Sequence, residues 1–352
     1  MAERRQARRP AARRRTEKPL TVAITGPTGD IGRSVVRALE RSRRVGRIIG
    51  MARRPFDPRE HGWKRTEYRR GDVLDRASVE DLVADADVIV HLAFIIFGGH
   101  DETHHINLDG SRNVFEVAVA ARTKRLVYTS SVAAYGFHDD NPDVLTEDVP
   151  TRGTSEFYYS AQKAELEALL DDVAEGSSTQ AYVLRPCIVA GRDAPTMVEA
   201  FTGQMLLGER MRSVWRVMDR VPLAAPFLPD TGTPFQLVHH DDVATAVRAA
   251  VLGAGAAGTY NIAGNGTVRV KDVTRALGWR AVPIPRRAVD AAATVIATLP
   301  LVPVQARWIN ALRKPVLMDT TKARRQLRWR PAHGARETLK ETVESARAAG
   351  LV

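Results

Sequence analysis

Two side chains of types that transfer protons lie close together in the middle of the chain. Tyr159 and Lys163 are four residues apart in Tyr-Ser-Ala-Gln-Lys, at the start of a predicted helix, so both lie on one helix face. An ammonium group near a phenol stabilises the phenolate and so lowers a pKa that is normally ~10. Such a tyrosine can exchange a proton with a substrate alcohol or carbonyl. The spacing predicts acid–base chemistry at Tyr159, although the pair alone is a common pattern.

A pair of serines lies upstream of this tyrosine. Ser130 and Ser131 end a predicted strand, and ligands of parallel α/β sheets bind at the carboxyl ends of strands. A serine hydroxyl there can donate a hydrogen bond to a substrate oxygen and stabilise the charge that develops on it. A turn or cap serine is the alternative role. Because one chain combines Ser131 with Tyr159 and Lys163, we predict these three as a catalytic set.

A glycine-rich turn near the N-terminus predicts a phosphate-binding loop. The run Thr-Gly-Pro-Thr-Gly-Asp-Ile-Gly places Gly26, Gly29 and Gly32 between an apolar run and a helical pattern. The first glycine permits a sharp turn, the second lets the backbone approach a pyrophosphate, and the third lets the helix pack on the sheet. The helix N-terminus offers N–H groups and a positive dipole to the phosphates. We therefore predict that this loop, with Asp30 and Ile31, binds a dinucleotide.

The end of the second predicted strand bears on the choice of coenzyme. A carboxylate there binds the ribose 2′-hydroxyl of NAD, whereas an arginine suits the 2′-phosphate of NADP. Ala52 stands where an acid would bind that hydroxyl, and Arg53 and Arg54 follow it. The sequence therefore favours NADP(H), with NAD(H) as the alternative. The other interpretation is that both arginines are solvated loop residues.

The elements that must position these residues alternate between strands and helices. Continuous apolar runs separated by helical spacing predict an α/β fold, a Rossmann doubly wound parallel sheet with a smaller C-terminal substrate-capping region. We expect a disordered basic tail at 1–18, an NAD(P)-binding core at 19–190, and a substrate-binding region with interleaved core elements at 191–352. The predicted strands are Leu20–Ile24, Arg47–Met51, Val88–Ala93, Leu126–Ser130 and Ala181–Arg185, and the predicted helices are Arg33–Ser42, Ser78–Ala84, Gly110–Ala121 and Ala164–Leu170.

Composition excludes several classes of protein. The 352 residues are 44% hydrophobic, in the globular range. The single cysteine, Cys187, can form no intrachain disulfide, and we expect it to be a buried core thiol in a cytoplasmic, reducing compartment. The longest apolar stretch, 291–304, is broken by prolines and shorter than the ~20 residues that span a bilayer. We also expect no signal peptide.

Charge and histidine spacing raise two further questions of binding. Much of the formal charge of +11 lies in the arginine-rich residues 1–18. Such a run could adhere to nucleic acid or anionic lipid without sequence choice, or be a solvated extension, and we expect no specific nucleic-acid partner. His100 and His104 have the i, i+4 spacing of metal ligands, beside Asp101 and His105. The zincin pattern has its glutamate base directly after the first histidine, and Asp101 stands at that position, so we predict no metal site.

Several further motifs accompany the glycine loop and the Tyr/Lys pair. They are Gly71-Asp72-Val73, Val90-His91-Leu92-Ala93, Asn107 with Gly110, the run from Ser130 to Gly136, Leu184-Arg185-Pro186, and the run from Val238 to Val243. Together they resemble the extended short-chain dehydrogenase/reductase family, specifically its NAD-dependent epimerase/dehydratase branch. The resemblance covers roughly residues 20–264, with a weaker match at 319–331.

The resemblance implies a role for each matching residue. Ser131 matches the family's substrate-oxygen donor, Tyr159 its acid/base, and Lys163 the residue that binds the nicotinamide ribose and tunes the tyrosine. The remaining matches are Asn107 as the helix asparagine near the active site, Asp72 and Val73 as adenine contacts, and Ala93 as the backbone contact beside the nicotinamide ribose.

Two departures from the family bear on the reaction. The 4,6-dehydratases carry an acidic pair beside the strand-end hydroxyl, whereas residues 131–134 carry no carboxylate, which argues against dehydration. Sugar-nucleotide epimerases often carry an arginine that neutralises the pyrophosphate, and Phe235 stands in its place. Apolar segments at 94–97, 205–207 and 223–228 could line a pocket for a hydrophobic ketone or alcohol, or pack in the core.

Three functions remain open on the sequence. The first is an NADP-linked reductase or dehydrogenase for a ketone or alcohol, with a small-molecule substrate. The second is a nucleotide-sugar epimerase that retains NAD. The third is a non-catalytic NADP-sensing regulator on the same fold, which the presence of Ser131, Tyr159 and Lys163 argues against. Many relatives form dimers through helices, so a homodimer is one option.

Overall fold

The computed structural model describes residues 18–96, 103–155, 157–194, 198, 226–285 and 315–352. Several expectations lie outside the described residues. These are the disorder of the tail up to residue 17, the metal candidates His100 and Asp101, residue 97 of the apolar segment 94–97, the apolar segment 205–207, and residues 223–225.

The described residues form short strands spread along the chain. In chain order they are β1 (Leu20–Thr25), β2 (Val45–Ala52), β3 (Thr66–Arg70), β4 (Val88–His91), β5 (Arg125–Thr129), β6 (Val144–Leu145), β7 (Gln180–Pro186), β8 (Ile188–Ala190), β9 (Phe227–Asp230), β10 (Leu237–His239), β11 (Gly258–Ile262), β12 (Arg280–Pro283) and β13 (Leu317–Met318). Seven of them form one parallel sheet in the order β11-β7-β5-β4-β1-β2-β3. The strand order reverses at β1, so a ligand crevice is expected outside the carboxyl ends of β1 and β4.

Helices cover both faces of this sheet. They are α1 (Gly32–Glu40), α2 (Arg76–Val83), α3 (Gly110–Ala120), α4 (Tyr158–Ala174), α5 (His240–Val251), α6 (Val270–Leu277), α7 (Thr321–Gln326) and α8 (Ala335–Ala348). One turn of π-helix, His105–Asp109, leads into α3. The doubly wound parallel sheet that the sequence predicts is confirmed.

Alternate residues of each strand face two apolar layers. In β1, Val22 and Ile24 pack in the layer that contains α1 and α5, while Ala23 packs in the layer that contains α2, α3 and α4. Because both faces of the sheet are covered, the inner strands are mostly apolar, as in other buried parallel sheets, and their polar residues lie mainly at the strand ends.

The C-terminal part of the chain contributes to two places. β11 pairs with β7 as an outer strand of the central sheet. β8, β10, α6 and α8 surround a third apolar cluster, to which Leu237, Val273 and Leu339 belong. A substrate-binding role for residues 191–352 stays a prediction.

Cys187 lies in the core between β7 and β8. Its side chain is buried, and burial raises the pKa of the thiol to about 12, which leaves it unreactive near neutral pH. The expected buried core thiol is thus confirmed. Across the parts of the chain that the structure describes, no helix combines the length and apolarity needed to cross a membrane.

Candidate active site

The glycine loop connects β1 to α1 at the predicted crevice. Gly26 has φ +71°, and a Cβ there would lie 3.0 Å from the backbone nitrogen of Ala93. A Cβ at Gly32 would overlap the carbonyl oxygen of Gly26, whereas a Cβ at Gly29 would lie 3.6 Å from that oxygen. The packing of the protein itself therefore requires the first and third glycines, and the space at the second is open to a ligand.

The N-terminus of α1 fits a bound anion. Ile31 occupies the N-cap position without a side-chain hydrogen bond, and the first turn contains no acidic residue. Amides at such a helix end, together with the helix dipole, attract negative charge. Asp30 lies in the turn just before this helix. The loop thus fits the pyrophosphate of a dinucleotide, as the sequence predicts.

The two arginines after β2 lie at the rim of the crevice. Arg53 and Arg54 are exposed, and neither forms an ion pair with another described residue. Guanidinium groups without a carboxylate partner remain available for a phosphate. The preference for NADP(H) over NAD(H), which rests on these two arginines, stays a prediction.

The turn after β3 lies beside the end of β2. Gly71 N donates to the carbonyl of Ala52 (3.4 Å), and the Asp72 carboxylate accepts from Leu74 N (3.1 Å), which fixes the turn. Val73 is buried against α3. Asp72 and Val73 therefore lie at the carboxyl edge of the sheet, where the resemblance expects adenine contacts.

A buried histidine connects the glycine loop to α3. His91 Nδ1 is hydrogen-bonded to Thr25 Oγ1 (2.8 Å) and its Nε2 to Ser111 Oγ (2.9 Å). Thr25 Oγ1 also accepts from Ala93 N (3.2 Å), which holds Ala93 against Gly26. Burial, and then the charge of Lys163, lower the pKa of His91 to about 3. His91 is therefore neutral and structural at physiological pH.

Ser131 and Tyr159 meet beyond the carboxyl end of β5. Ser131 Oγ accepts from Ala133 N (3.1 Å), so this serine also caps the short helix that follows the strand. The Tyr159 ring packs edge-on against Phe94, with ring centroids 5.5 Å apart. Burial raises the pKa of Tyr159, and a hydrogen bond with Ser131 acts in the opposite direction. The expected lowering of this pKa by Lys163 is wrong for this arrangement.

Lys163 has other partners in the structure. Its Nζ donates to Tyr128 Oη (3.1 Å) and to the carbonyl of Thr129 (3.0 Å), and lies 3.8 Å from the ring centroid of Phe94. The Tyr159 ring centroid is farther away, at 5.9 Å. Burial lowers the pKa of Lys163 to about 7, against the raising effect of the Glu167 carboxylate. This ammonium group can therefore lose its proton near neutral pH.

Asn107 lies on the π-helical turn and is fully engaged with the protein. Its Oδ1 accepts from Ile95 N (2.8 Å), and its Nδ2 donates to Ile95 O (2.9 Å) and to Gln162 Oε1 (2.9 Å). These bonds fix the segment after β4 against the start of α4. Asn107 thus holds other site residues in position. A direct part of Asn107 in the reaction stays a prediction.

One segment joins the two halves of the site. Ala93 contacts Gly26 of the loop, and the next residue, Phe94, contacts both Tyr159 and Lys163. The structure therefore brings the predicted catalytic set and the predicted dinucleotide loop to one edge of the sheet. The sequence analysis assigned no role to Tyr128 or Glu167, which also belong to this cluster.

Phe235 has a packing role of its own. Its backbone exchanges two hydrogen bonds of 2.9 Å with Val268, and its side chain packs against the third apolar cluster. The position where many epimerases carry an arginine is therefore used for core packing.

Three potential metal ligands lie close together at the N-terminus of α5, among the residues that can be described. Ligand atoms of His239, His240 and Glu341 all lie within 4.8 Å of one another. His239 Nδ1 accepts a backbone N–H (3.1 Å), so its Nε2 carries the proton and donates to Glu341 (3.2 Å). His240 Nε2 accepts from Asp193 N (3.2 Å), so its Nδ1 donates to Ser34 (2.7 Å). These bonds leave neither ring a free lone pair for an ion.

Comparison with known proteins agrees with this geometry. The model of the "NAD dependent epimerase/dehydratase family" matches residues 22–263. Human 3 beta-hydroxysteroid dehydrogenase type 7 is 30% identical over 209 residues, which are 54% of this chain and 55% of that protein. Cinnamoyl-CoA reductase 2 of Medicago truncatula is 26% identical over 199 residues, 53% of this chain and 59% of its own length.

A solved structure shows the same fold over nearly the whole chain. UDP-glucuronic acid 4-epimerase from Bacillus cereus, in complex with NAD, superposes with a TM-score of 0.69 at 17% identity, covering 94% of this chain and all of that one. By contrast, this chain spans just over half the length of the two curated relatives.

The chain belongs to the NAD-dependent epimerase/dehydratase family. It is therefore an NAD(P)-dependent enzyme of the short-chain dehydrogenase/reductase type. The proteins similar to it in sequence include a dehydrogenase and a reductase by name, and an epimerase shares its fold.

Proposed function

We propose that this enzyme catalyses NADP-linked hydride transfer to or from an apolar ketone or alcohol, with Tyr159 as the acid/base. The observation that carries the proposal is the Ala93–Phe94 segment: Ala93 packs on Gly26 of the glycine loop, and Phe94 contacts both Tyr159 and Lys163. Ser131 is close enough to Tyr159 to influence its pKa. A bound nicotinamide would supply or accept the hydride. The residues of the chain then bind the substrate oxygen and move its proton.

Tyr159 and Ser131 divide the work on the substrate oxygen. In carbonyl reduction, the Tyr159 hydroxyl donates its proton as the oxygen becomes an alcohol, and Ser131 stabilises the negative charge that develops there. Burial raises the pKa of Tyr159 in the protein alone, which keeps its proton in place until the oxygen accepts it. In the reverse direction, a nearby positive charge must stabilise the phenolate. Lys163, on the same helix and 5.9 Å from the Tyr159 ring centroid, is the cation that would supply it once coenzyme is bound, although it does not lower the Tyr159 pKa in the protein alone.

Two features favour a ketone or alcohol over a sugar nucleotide. Phe235 packs in the core at the position where an arginine would neutralise a pyrophosphate. Phe94 contacts both Tyr159 and Lys163, so the wall of the site next to the reacting atoms is aromatic. One relative of the chain is a steroid dehydrogenase by name and another a cinnamoyl-CoA reductase, and both names indicate substrates with large apolar parts.

The choice of NADP(H) follows from Arg53 and Arg54. Both are exposed at the end of β2, where the coenzyme ribose of a Rossmann fold lies, and no carboxylate stands there to bind a 2′-hydroxyl. We further propose that residues 191–352 contribute the substrate pocket. Formation of a homodimer and a cytoplasmic location stay predictions.

The decisive test compares Tyr159→Phe with Tyr158→Phe. Tyr158 is the adjacent phenol, and its hydroxyl donates to Ile96 O (2.9 Å), away from Ser131. Wild type and both variants are screened with both coenzymes, by nicotinamide absorbance for ketones and alcohols. Sugar nucleotides are followed by chromatography of the product, because epimerisation leaves the coenzyme unchanged overall. We expect Tyr159→Phe to lose turnover by a factor of about 10²–10⁴ with coenzyme affinity kept, and Tyr158→Phe to keep most of its turnover.

The outcome of the screen decides between the functions. Equal turnover in wild type and Tyr159→Phe would remove this tyrosine from the reaction. Turnover of sugar nucleotides alone, with NAD retained through purification, would replace the proposal by the epimerase.

A further inference from the structure

A buried carboxylate lies one helical turn beyond Lys163. Tyr159, Lys163 and Glu167 recur every four residues along α4, so all three lie on one face. Glu167 is only 4% exposed and has two partners on the sheet, Ser130 after β5 and Arg185 on β7. Its Oε1 accepts from Ser130 Oγ (2.5 Å), and its two oxygens accept from Arg185 Nε (3.0 Å each) and Nη2 (2.5 Å).

Arg185 depends on this carboxylate. It is 6% exposed at the end of β7, with its guanidinium carbon 4.5 Å from the ring centroid of Tyr135. A buried guanidinium group without a carboxylate is costly, since the interior does not solvate its charge. Glu167 is the only carboxylate to which Arg185 is bonded among the described residues.

Glu167, Arg185 and Lys163 form one buried charge cluster. With all three ionised, the cluster carries one net positive charge, which a phenolate at Tyr159 would neutralise. Without Glu167, Lys163 would lose the charge that raises its pKa against burial, and Arg185 would be left buried without a counter-ion. The lysine can shed its charge by losing a proton, whereas the arginine cannot. The carboxylate thus decides whether Lys163 remains charged.

We propose that Glu167 is a positioning residue for the reaction: as the counter-ion of Arg185 and the acceptor for Ser130, it keeps Lys163 protonated and the strand end that carries Ser131 in place. This inference rests on the proposed function, because it assigns a role toward the coenzyme and the acid/base tyrosine. It concerns a residue that touches neither substrate nor coenzyme.

The groups around Lys163 set the direction of the effect. They are Tyr128 on β5, Tyr159 and Glu167 on its own helix, His91 on β4, and the Phe94 ring after β4. Of these, Glu167 alone bears a charge at neutral pH, and it raises the pKa of Lys163 against burial. Lys163 is charged below its pKa and neutral above it, so loss of Glu167 confines the charged form to a lower pH range.

The test measures the pH dependence of coenzyme binding by calorimetry, alongside the pH–rate profile. Glu167→Gln removes the charge, and Glu167→Asp keeps it. Because Glu167→Gln leaves Arg185 buried and unpaired and could fail to fold, the double variant Glu167→Gln/Arg185→Met removes both charges of the pair, a change that proteins often tolerate. Glu165→Gln, an exposed position on the same helix, is the matched control.

If Glu167 keeps Lys163 charged, the pH dependence of coenzyme binding should differ between the variants in a specific way. In wild type, we expect coenzyme affinity to fall as pH rises through the pKa of Lys163. In the double variant, we expect the midpoint of that fall to move about one pH unit lower, with the alkaline limb of kcat moving the same way. Glu167→Asp and Glu165→Gln should keep the wild-type midpoint.

Two results would overturn the inference, and only the second would also overturn the proposed function. A double variant that binds coenzyme with the wild-type midpoint would show that Glu167 only supports folding, and the proposed function would stand. A folded wild-type protein that binds neither coenzyme at any pH would overturn the proposed function and this inference with it.

Discussion

The buried neutral His91 gives the protein a specific dependence of stability on pH. We consider His91→Gln, because glutamine can still bond to both Thr25 and Ser111 but cannot take up a proton near neutral pH. The pKa of His91 is about 3 in the folded protein, against ~6.5 for an unperturbed histidine. In wild type, acid therefore protonates the unfolded chain first.

The lowered pKa of His91 determines how the stability of the folded protein changes with pH. A folded pKa below the unfolded one gives stability that is present above pH ~6.5 and is lost as pH falls toward 3. At pH 5, the unfolded chain has gained about 2 kcal/mol from protonation of this one side chain, whereas the folded protein has gained almost nothing. Lys163 is charged in both states between pH 5 and 6, so it adds little to the slope there.

Chemical denaturation at pH 7.5, 6 and 5 measures the effect. Between pH 7.5 and 5, wild type should lose about 2 kcal/mol more free energy of unfolding than His91→Gln. His105→Gln, which replaces a histidine whose side chain is 63% exposed, is measured alongside as the comparison for a surface histidine. If the curves for wild type and His91→Gln fall in parallel, His91 titrates freely in the folded protein and the buried network does not hold it neutral.

Three further predictions concern the coenzyme and the reaction. Arg53→Ala with Arg54→Ala should weaken NADPH binding by about tenfold or more and leave NADH unchanged, whereas the exposed Arg59→Ala should change neither; equal losses for both coenzymes would contradict the assignment. In Gly26→Ala, the alanine must adopt φ +71°, and its Cβ presses on the backbone after β4. We expect a loss of about 1–2 kcal/mol in stability and weaker coenzyme binding. Unchanged coenzyme affinity by calorimetry would refute this prediction. Ser131→Ala should lower kcat by about 10²–10³ with coenzyme affinity kept, and a change in KM alone would instead indicate a binding role.

The sequence predicted the inner strands because their burial leaves a simple pattern. β1 and β4 are continuous apolar runs, since both faces of the sheet are covered. β3 reads Thr-Glu-Tyr-Arg-Arg and gave no such signal, because it is an edge strand whose charged side chains form ion pairs at the surface. An edge strand of this kind is specified by pairing with β2, which a local pattern does not show.

The candidate site was predictable where spacing encodes it. The four-residue spacing predicted Tyr159 and Lys163 as a catalytic pair, and the position at a strand end predicted Ser131. The partners of Lys163 were not predictable, because Lys163 lies on α4 and Tyr128 reaches it from strand β5. Glu167 carries the same four-residue signal as Lys163, but a helical glutamate is usually solvated, and only the position of Arg185 across the sheet shows that this one is buried.

The place of β11 in the sheet has a consequence for biosynthesis. Among the described residues, β7 is covered on its outer side by β11, a segment translated more than 70 residues after it. Until the ribosome has released Ile262, the nascent nucleotide-binding half exposes a row of unpaired amides and carbonyls that could recruit another chain. A shortened version ending near residue 190 would keep the edge of β7 unpaired permanently. We therefore expect it to depend on chaperones or to be insoluble.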